Sequence, residues 1–541
     1  MRMEAKNKYL VPSLVLPLVC SGLTLAASNQ KKESQKPNVI FIIIDDLNNY
    51  EGAFGGHKQA KTPNIDRLAK SGVSFMQGYT NCPVSQPSRN SLFTGVYPHK
   101  SKDFGWIPLE KQPITGNCKT FVDLFKENGY LTMGSGKLLH TEKFSSWDQF
   151  ENKKLNNYGP FAYNGVKGVG HSSVPLPFRD IGPVDGSWGA IEDVPVYIDS
   201  ITGERKGGWT HNAWGKFQPF RVINEHDRDM LPDEIHADWA VKKIQEMEKS
   251  NSTQPFLMGV GFVRPHTPLT CPQRFFDMFP LDQIELNPIQ PNDKIDTYYE
   301  GLNPAESKGL LYFNEMKKSY NGNTEEGLKV FLQAYLACIA FMDEQVGKVI
   351  DALDNSKFKN NTIVVFVADN GWQMGSKDYL FKNSPWEEST QIPYIVRAPG
   401  AKNGSKVYQP VSLIDIYPTL TDLCGVKGDT KLNEKGVNID GYSLKPLLTD
   451  PDTKKWKGPK GAISMIGDLL LFDKELNDVM DQTYTYRTKD WRYILYRDGS
   501  EELYHNATDP REWKNLASDN QYLAKKQEMK KEMLKLIQTN K

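Results

Sequence analysis

This chain of 541 residues lacks an excess of either charge: 66 Lys and Arg face 66 Asp and Glu, for a formal net charge of +0. No global field draws it to nucleic acid or to an anionic membrane, so an anionic ligand must be held by charges gathered locally. Cysteine is scarce. Of six, Cys20 lies in an N-terminal apolar run, and Cys82, Cys118, Cys271, Cys338 and Cys424 show no CxxC or zinc-like spacing. Five is an odd number for a disulfide framework, and Cys338, within "AYLACIAFMD", reads as a small buried hydrophobe on a helix. Internal repeats are absent, and beyond the N-terminus no segment reads as a transmembrane span. With 39% hydrophobic and 24% charged residues, what remains is a globular balance, long enough for one large core or two domains.

The N-terminus stands apart. "MRMEAKNKYLVPSLVLPLVCSGLTLAAS" begins with Arg2, Lys6 and Lys8, continues as a short apolar run and closes on Ala26 and Ala27. That is the layout of a secretory signal peptide over residues 1–27, which implies export to the periplasm or the cell surface. Lipidation at Cys20 would anchor the chain to an outer membrane. The residue before it is Val19 rather than a small one, so plain cleavage after Ala27 is the simpler reading.

"PNVIFIIIDDLNN" is a continuous apolar run ending in two acids, the pattern of a buried parallel strand. "TPNIDRLAKSG" follows as an amphipathic helix closed by Gly72. The alternation repeats in "TFVDLFKENGYLTMGSGK", in "DEIHADWAVKKIQEMEK" with "PFLMGVGF", and in "FLQAYLACIAFMDEQVGKVIDALD" with "TIVVFVADNG". It predicts an α/β fold, a large mixed, mostly parallel sheet sandwiched by helices, over residues 28–449. Residues 450–541, with hairpin-like strands and a charged terminal helix, predict a smaller C-terminal α+β subdomain. Between Leu155 and Leu231 the texture is irregular and rich in Gly, Pro and aromatics, which predicts a long excursion walling a substrate pocket.

Ligands in such sheets bind beyond the carboxyl ends of the strands, and Asp45, Asp46, His266, Asp369 and Asn370 all fall there. Acids after a buried strand are costly unless a cation or donors neutralise them. Asp45-Asp46 alone is as much a turn as a ligand pair. Its counterpart Asp369-Asn370 makes an all-oxygen set that suits Ca²⁺ or Mg²⁺ better than zinc.

The stretch "NCPVSQPSRNSLFTG" offers two nucleophiles, Cys82 and Ser85. It resembles the signature of the type I sulfatases of the alkaline phosphatase superfamily, in which a Cys or Ser is followed two residues on by Pro and four on by Arg. Counting from Cys82 fails. Counting from Ser85 gives Pro87 and Arg89, with Thr94-Gly95 in place. The resemblance therefore implies a serine-type sulfatase in which a maturation enzyme oxidises Ser85 to Cα-formylglycine. A plain hydroxyl is a weak nucleophile. An aldehyde hydrate carries two hydroxyls on one carbon, one to attack sulfur and one to expel sulfate afterwards.

The same resemblance extends through "TPNIDRLAKSG", "DGYSLKPLL" and "ELYHNATDPREWKNLA", and "GKLLH" and "DYLFKN" look most like the iduronate-2-sulfatase branch. It implies that Asp45, Asp46, Asp369, Asn370 and the modified Ser85 bind one calcium ion. Arg89 and Lys137 would hold the formylglycine, His140 would act as base on its hydroxyl, and His266 and Lys382 would contact the sulfate and help protonate the leaving oxygen. His99 reads as structural. The implied substrate is a sulfated saccharide, with choline sulfate as the small alternative. A phosphatase or phosphodiesterase of the same superfamily is the rival chemistry, but its two-zinc members need additional Asp and His ligands. A carboxylated sugar would want a further basic residue, for which Arg179, Arg221 and Arg264 are the candidates.

Overall fold

The apolar run from Val39 to Ile44 needs cover on both faces, and the strand it forms, Asn38–Ile44 (β1), is buried at every position. The computed structural model describes residues 36–151, 158–198, 202–298, 308–467 and 478–538. The expected signal peptide, Cys20 included, lies outside the described residues, as do residues 155–157 at the start of the excursion.

β1 sits inside an eight-stranded sheet. Its partners are Val73–Phe75 (β2), Leu131–Gly136 (β3), Gln149–Phe150 (β4), Phe256–Phe262 (β5), Thr362–Ala368 (β6), Tyr394–Arg397 (β7) and Ser405–Val407 (β8). The order is β8-β2-β7-β6-β1-β5-β3-β4. Only β7 runs against the others, so the sheet is mixed and mostly parallel, as expected.

Helices cover both faces. Pro63–Lys70 (α1), Pro232–Lys249 (α4) and Thr324–Asp354 (α6) pack together, and Ser85–Thr94 (α2), Phe121–Glu127 (α3) and Ile416–Cys424 (α7) form a second group. Their ends are coded locally. A Thr120/Asp123 capping box starts α3, and the Asn323 side chain accepts from Glu326 N–H at the start of α6. Lys308–Ser319 (α5) packs beside α6. Cys338 is fully buried in α6, and the five described cysteines are all free.

A four-stranded antiparallel sheet follows, Ala462–Ile466 (β9), Thr483–Arg487 (β10), Arg492–Leu495 (β11) and Glu501–Tyr504 (β12), with the helix Leu523–Gln538 (α8). It braces the segment before α2: Met465 N–H donates to the Asn81 carbonyl at 2.9 Å and Ser464 Oγ to that of Thr80. The excursion is ordered by a three-stranded antiparallel sheet of Phe161–Tyr163, Gly208–Thr210 and Pro219–Phe220. No helix among the described residues is long and apolar enough to cross a membrane.

Candidate active site

Four adjacent parallel strands, β6, β1, β5 and β3, deliver their carboxyl ends side by side. Asp369-Asn370 leave β6, Asp45-Asp46 leave β1, Arg264 and His266 leave β5, and Lys137 leaves β3. The last exit needs glycine. Gly136 has φ +75°, and a Cβ there would lie 2.0 Å from the Gly261 carbonyl oxygen.

Helix α2 points its first residue at this edge. Ser85 opens the helix and Arg89, one turn on, shares its face. Ser85 Oγ donates to Asp45 Oδ1 at 3.1 Å and lies 3.4 Å from Lys382 Nζ. Arg89 does not turn to the serine. Its Nε donates to Asp369 Oδ2 at 2.8 Å, Nη2 to Asp45 Oδ1 at 3.3 Å, and Nη1 to the carbonyls of Lys137 and Leu138. Lys137 Nζ pairs with Asp45 Oδ2. Lys382 Nζ donates to both oxygens of Asp46, at 2.7 and 2.9 Å. Asp46 is held in the left-handed region at φ 57°, with Tyr335 Oη donating to its carbonyl at 2.7 Å.

Three carboxylates, Asp45, Asp46 and Asp369, thus meet Arg89, Lys137 and Lys382 in full burial. Burial raises the pKa of Asp45, but Lys137 and Arg89 outweigh it and hold the group well below the usual range. Asp46 is different: burial first, then Asp45 and Asp369, push it up to about 7 despite Lys382. One oxygen from each acid lies within 4.8 Å of the others, and Asn370 Oδ1 is buried without a hydrogen-bond partner. An acid still under repulsion and an orphaned amide oxygen are what a hard cation would satisfy, so these residues fit a divalent ion. Its two charges, added to a balanced cluster, would leave the floor electropositive.

Cys82 stands apart from this chemistry. It is buried with Val84 in an apolar cluster, and desolvation pushes its thiol far up. His266 Nδ1–H donates to the Thr267 carbonyl at 2.6 Å, leaving Nε2, 3.6 Å from Asp46 Oδ2, as the atom that exchanges a proton. Burial and then Lys382 hold its pKa well below the ordinary value. His140 stands further out, exposed at the mouth, its Nδ1 3.5 Å from Tyr158 Oη and its ring 4.9 Å from that of Trp106. The protein massed around it and then Lys137 push it down to about 3, so it is neutral. The structure therefore gathers Ser85, Arg89, Lys137, His266 and Lys382 around the acids, and places His140 one layer away.

Sequence reasoning missed Tyr158. Its ring lies under Lys137 Nζ at 4.8 Å and edge-on to His266 at 4.9 Å, joining three site residues. It sits in irregular chain with no pattern to mark it. The three arginines offered for a second anionic group are otherwise engaged. Arg264 is buried and donates to carbonyls of Tyr158, Gly159, His266 and Thr270, fixing the two loops that carry Tyr158 and His266. Arg221 pairs with Asp227, and Arg179 donates to the Ser172 carbonyl. His99 is buried between the rings of Tyr97 and Tyr484.

The chain is similar to known sulfatases. The family model described as Sulfatase matches residues 37–426, and that of the N-sulphoglucosamine sulphohydrolase C-terminal region matches 375–539. A sulfatase of Formosa agariphila is 32% identical, with 97% of this chain and 91% of that protein covered. Iduronate 2-sulfatase of Mus musculus is 26% identical, with 94% and 96% covered. A structure solved in complex with its substrate D-glucosamine-2-N,6-O-disulfate superposes with a TM-score of 0.63 at 21% identity, over 93% of this chain and 98% of that one, and so shares the fold.

Proposed function

Since the chain belongs to the sulfatase family, and is accordingly a sulfuric ester hydrolase, we propose that it removes an O-sulfate from a sugar outside the cytoplasm. Residue 85 acts as formylglycine, and Asp45, Asp46, Asp369, Asn370 and residue 85 hold one calcium ion. The observation that carries this reading is the meeting of Ser85 Oγ, the three acids and Lys382 at one buried point. The iduronate 2-sulfatase relative and the disulfated glucosamine of the structural neighbour support a sugar substrate.

The hydrated aldehyde supplies paired hydroxyls, one to displace the sugar oxygen from sulfur and one to expel sulfate. Held by Asp45, Asp46, Asp369, Asn370 and residue 85, the ion when bound would supply positive charge that favours an anionic ester. The chain's own residues do the rest. Lys382 stands between Asp46 and residue 85, where it offsets the negative charge of the ester. Arg89 and Lys137 fix the acids. His266 Nε2 gives its proton to the departing sugar oxygen. Burial and Lys382 keep that ring neutral in the free enzyme, and the negative charge of a bound ester favours its protonated form. His140, neutral at the mouth, accepts the proton released when sulfate is expelled. One water is consumed, and the products are the free sugar hydroxyl, sulfate and a proton.

Peptide mass spectrometry of protein from its native host tests the nucleophile. Residue 85 is expected to be lighter than serine by a pair of hydrogens, and fully active protein with only unmodified Ser85 would overturn the reading. Ser85→Cys is expected to restore activity in hosts that mature only cysteine. Elemental analysis is expected to find calcium and no stoichiometric zinc.

A further inference from the structure

Lys308, the first residue of α5, lies beside the site without belonging to its floor. Its Nζ is 2.9 Å from Asp185 Oδ2 and stands 4.1 Å from the centre of the Phe381 ring and 5.0 Å from that of Tyr312. Asp185 is itself fixed, accepting from Thr267 Oγ1 and from Tyr312 Oη, both at 2.7 Å. The lysine is thereby tied to the two loops that face the ester. Thr267 adjoins His266, and Phe381 adjoins Lys382. Rings and carboxylate restrict the motion of a side chain that is otherwise among the most mobile.

Yet Lys308 is not sealed in. Its side chain keeps 36% of its surface exposed, whereas Lys137 and Lys382 keep 3% and 5%. An ammonium has three donors, and among the described residues Asp185 takes one. Arg179, Arg221 and Arg264 are engaged elsewhere, whereas Lys308 is a restrained and accessible cation beside the site.

We propose that Lys308 is a substrate-selecting residue that receives a second anionic group on the sugar, a carboxylate or another sulfate, while the floor holds the ester to be cleaved. This rests on the sulfatase reading. It narrows the substrate to sulfated sugars carrying two negative groups, and it predicts discrimination by KM and not by the chemical step.

The test uses matured enzyme and two matched pairs: a 2-O-sulfated hexuronate with its carboxyl-reduced counterpart, and 6-O-sulfated N-sulfoglucosamine with 6-O-sulfated N-acetylglucosamine. 4-Nitrophenyl sulfate reports the floor alone. Lys308→Ala is expected to raise KM about tenfold for the dianionic member of one pair. It should leave kcat, the monoanionic member and 4-nitrophenyl sulfate within about twofold. Lys308→Arg is expected to restore KM, and the responding pair identifies the anion. Equal effects on both members of each pair, or wild-type enzyme that prefers neither dianionic member, would overturn the proposal. Because turnover of 4-nitrophenyl sulfate survives in that case, its failure is separate from failure of the sulfatase reading. Calorimetric binding of the same four sugars to Ser85→Ala protein, with and without Lys308→Ala, reads the contact independently of turnover.

Discussion

At the strand ends, Asp45, Asp46, Ser85, Arg89, Asp369 and Asn370 have no exposure to solvent, while on the wall His140 is exposed and Lys308 keeps 36% of its side chain in water. The floor residues follow regular elements directly, β1, β6 and the first turn of α2, and their positions follow from strand pairing such as Ile44 with Ala368. The wall comes from loops whose shape depends on contacts such as those of Arg264. The difference separates two tasks. Buried charges at fixed points set the chemistry, where dielectric screening is weak. Loops at the rim set which substrate arrives, and they can vary without disturbing the floor.

The sharpest way to break the floor is Asp45→Ala. It strands Arg89 Nη2 and Lys137 Nζ in full burial, and like charges then face one another. Removing one partner of a buried pair costs about 3–5 kcal/mol, so thermal unfolding is expected to shift down markedly and sulfate release to vanish. Asp45→Asn, with the same shape, should recover part of the stability and none of the activity. If Asp45→Ala melted like wild type, the floor would not be the tightly coupled charge cluster described above.

Arg264→Ala strikes the join between floor and wall. The guanidinium donates to backbone carbonyls on both loops, and its loss leaves those acceptors unsatisfied in a buried setting. A destabilisation of about 3 kcal/mol is expected, with kcat lowered through misplaced His266 and Tyr158. Arg264→Lys should not rescue, because an ammonium lacks the planar fork that reaches several carbonyls at once. Normal stability in denaturant titration would show that the loops hold themselves.

The floor was largely legible in the sequence because apolar runs ending in acids, and a nucleophile four residues before an arginine, are local signals. Ser85 and Arg89 share a helical face for that reason, and Cys82, three residues earlier, falls in the apolar cluster. The resemblance implies Arg89 and Lys137 on the modified residue, and with serine at position 85 both pair with carboxylates. Tyr158, Asp185 and Lys308 were not legible. Each lies in irregular chain or at a helix start without a periodic neighbour. Their importance arises from partners that tertiary folding brings in, as when Thr267 and Lys308 meet on Asp185. The brace that β9 places on Thr80 and Asn81 is equally invisible, since hairpin alternation tells where strands form and not what they lean on.

The smallest effect is expected furthest out on the wall. Trp214 is 68% exposed and Phe217 40%, and their rings lean on Phe161 and Tyr163, on the strand that begins three residues after Tyr158. A tryptophan held against one aromatic neighbour and open on its other side offers a flat face to a sugar ring, next to chain that reaches the site. Trp214→Ala buries and unburies little, so stability should stay within about 0.5 kcal/mol of wild type. It touches none of the floor, so turnover of 4-nitrophenyl sulfate should be unchanged. Stacking contributes about 0.5–1.5 kcal/mol, which converts to a rise in KM of roughly 2–12-fold for a sulfated oligosaccharide long enough to reach it. A monosaccharide should show no such rise. Identical KM ratios for the short and the long substrate would place the excursion's outer aromatics outside recognition and confine the wall to Tyr158 and Lys308.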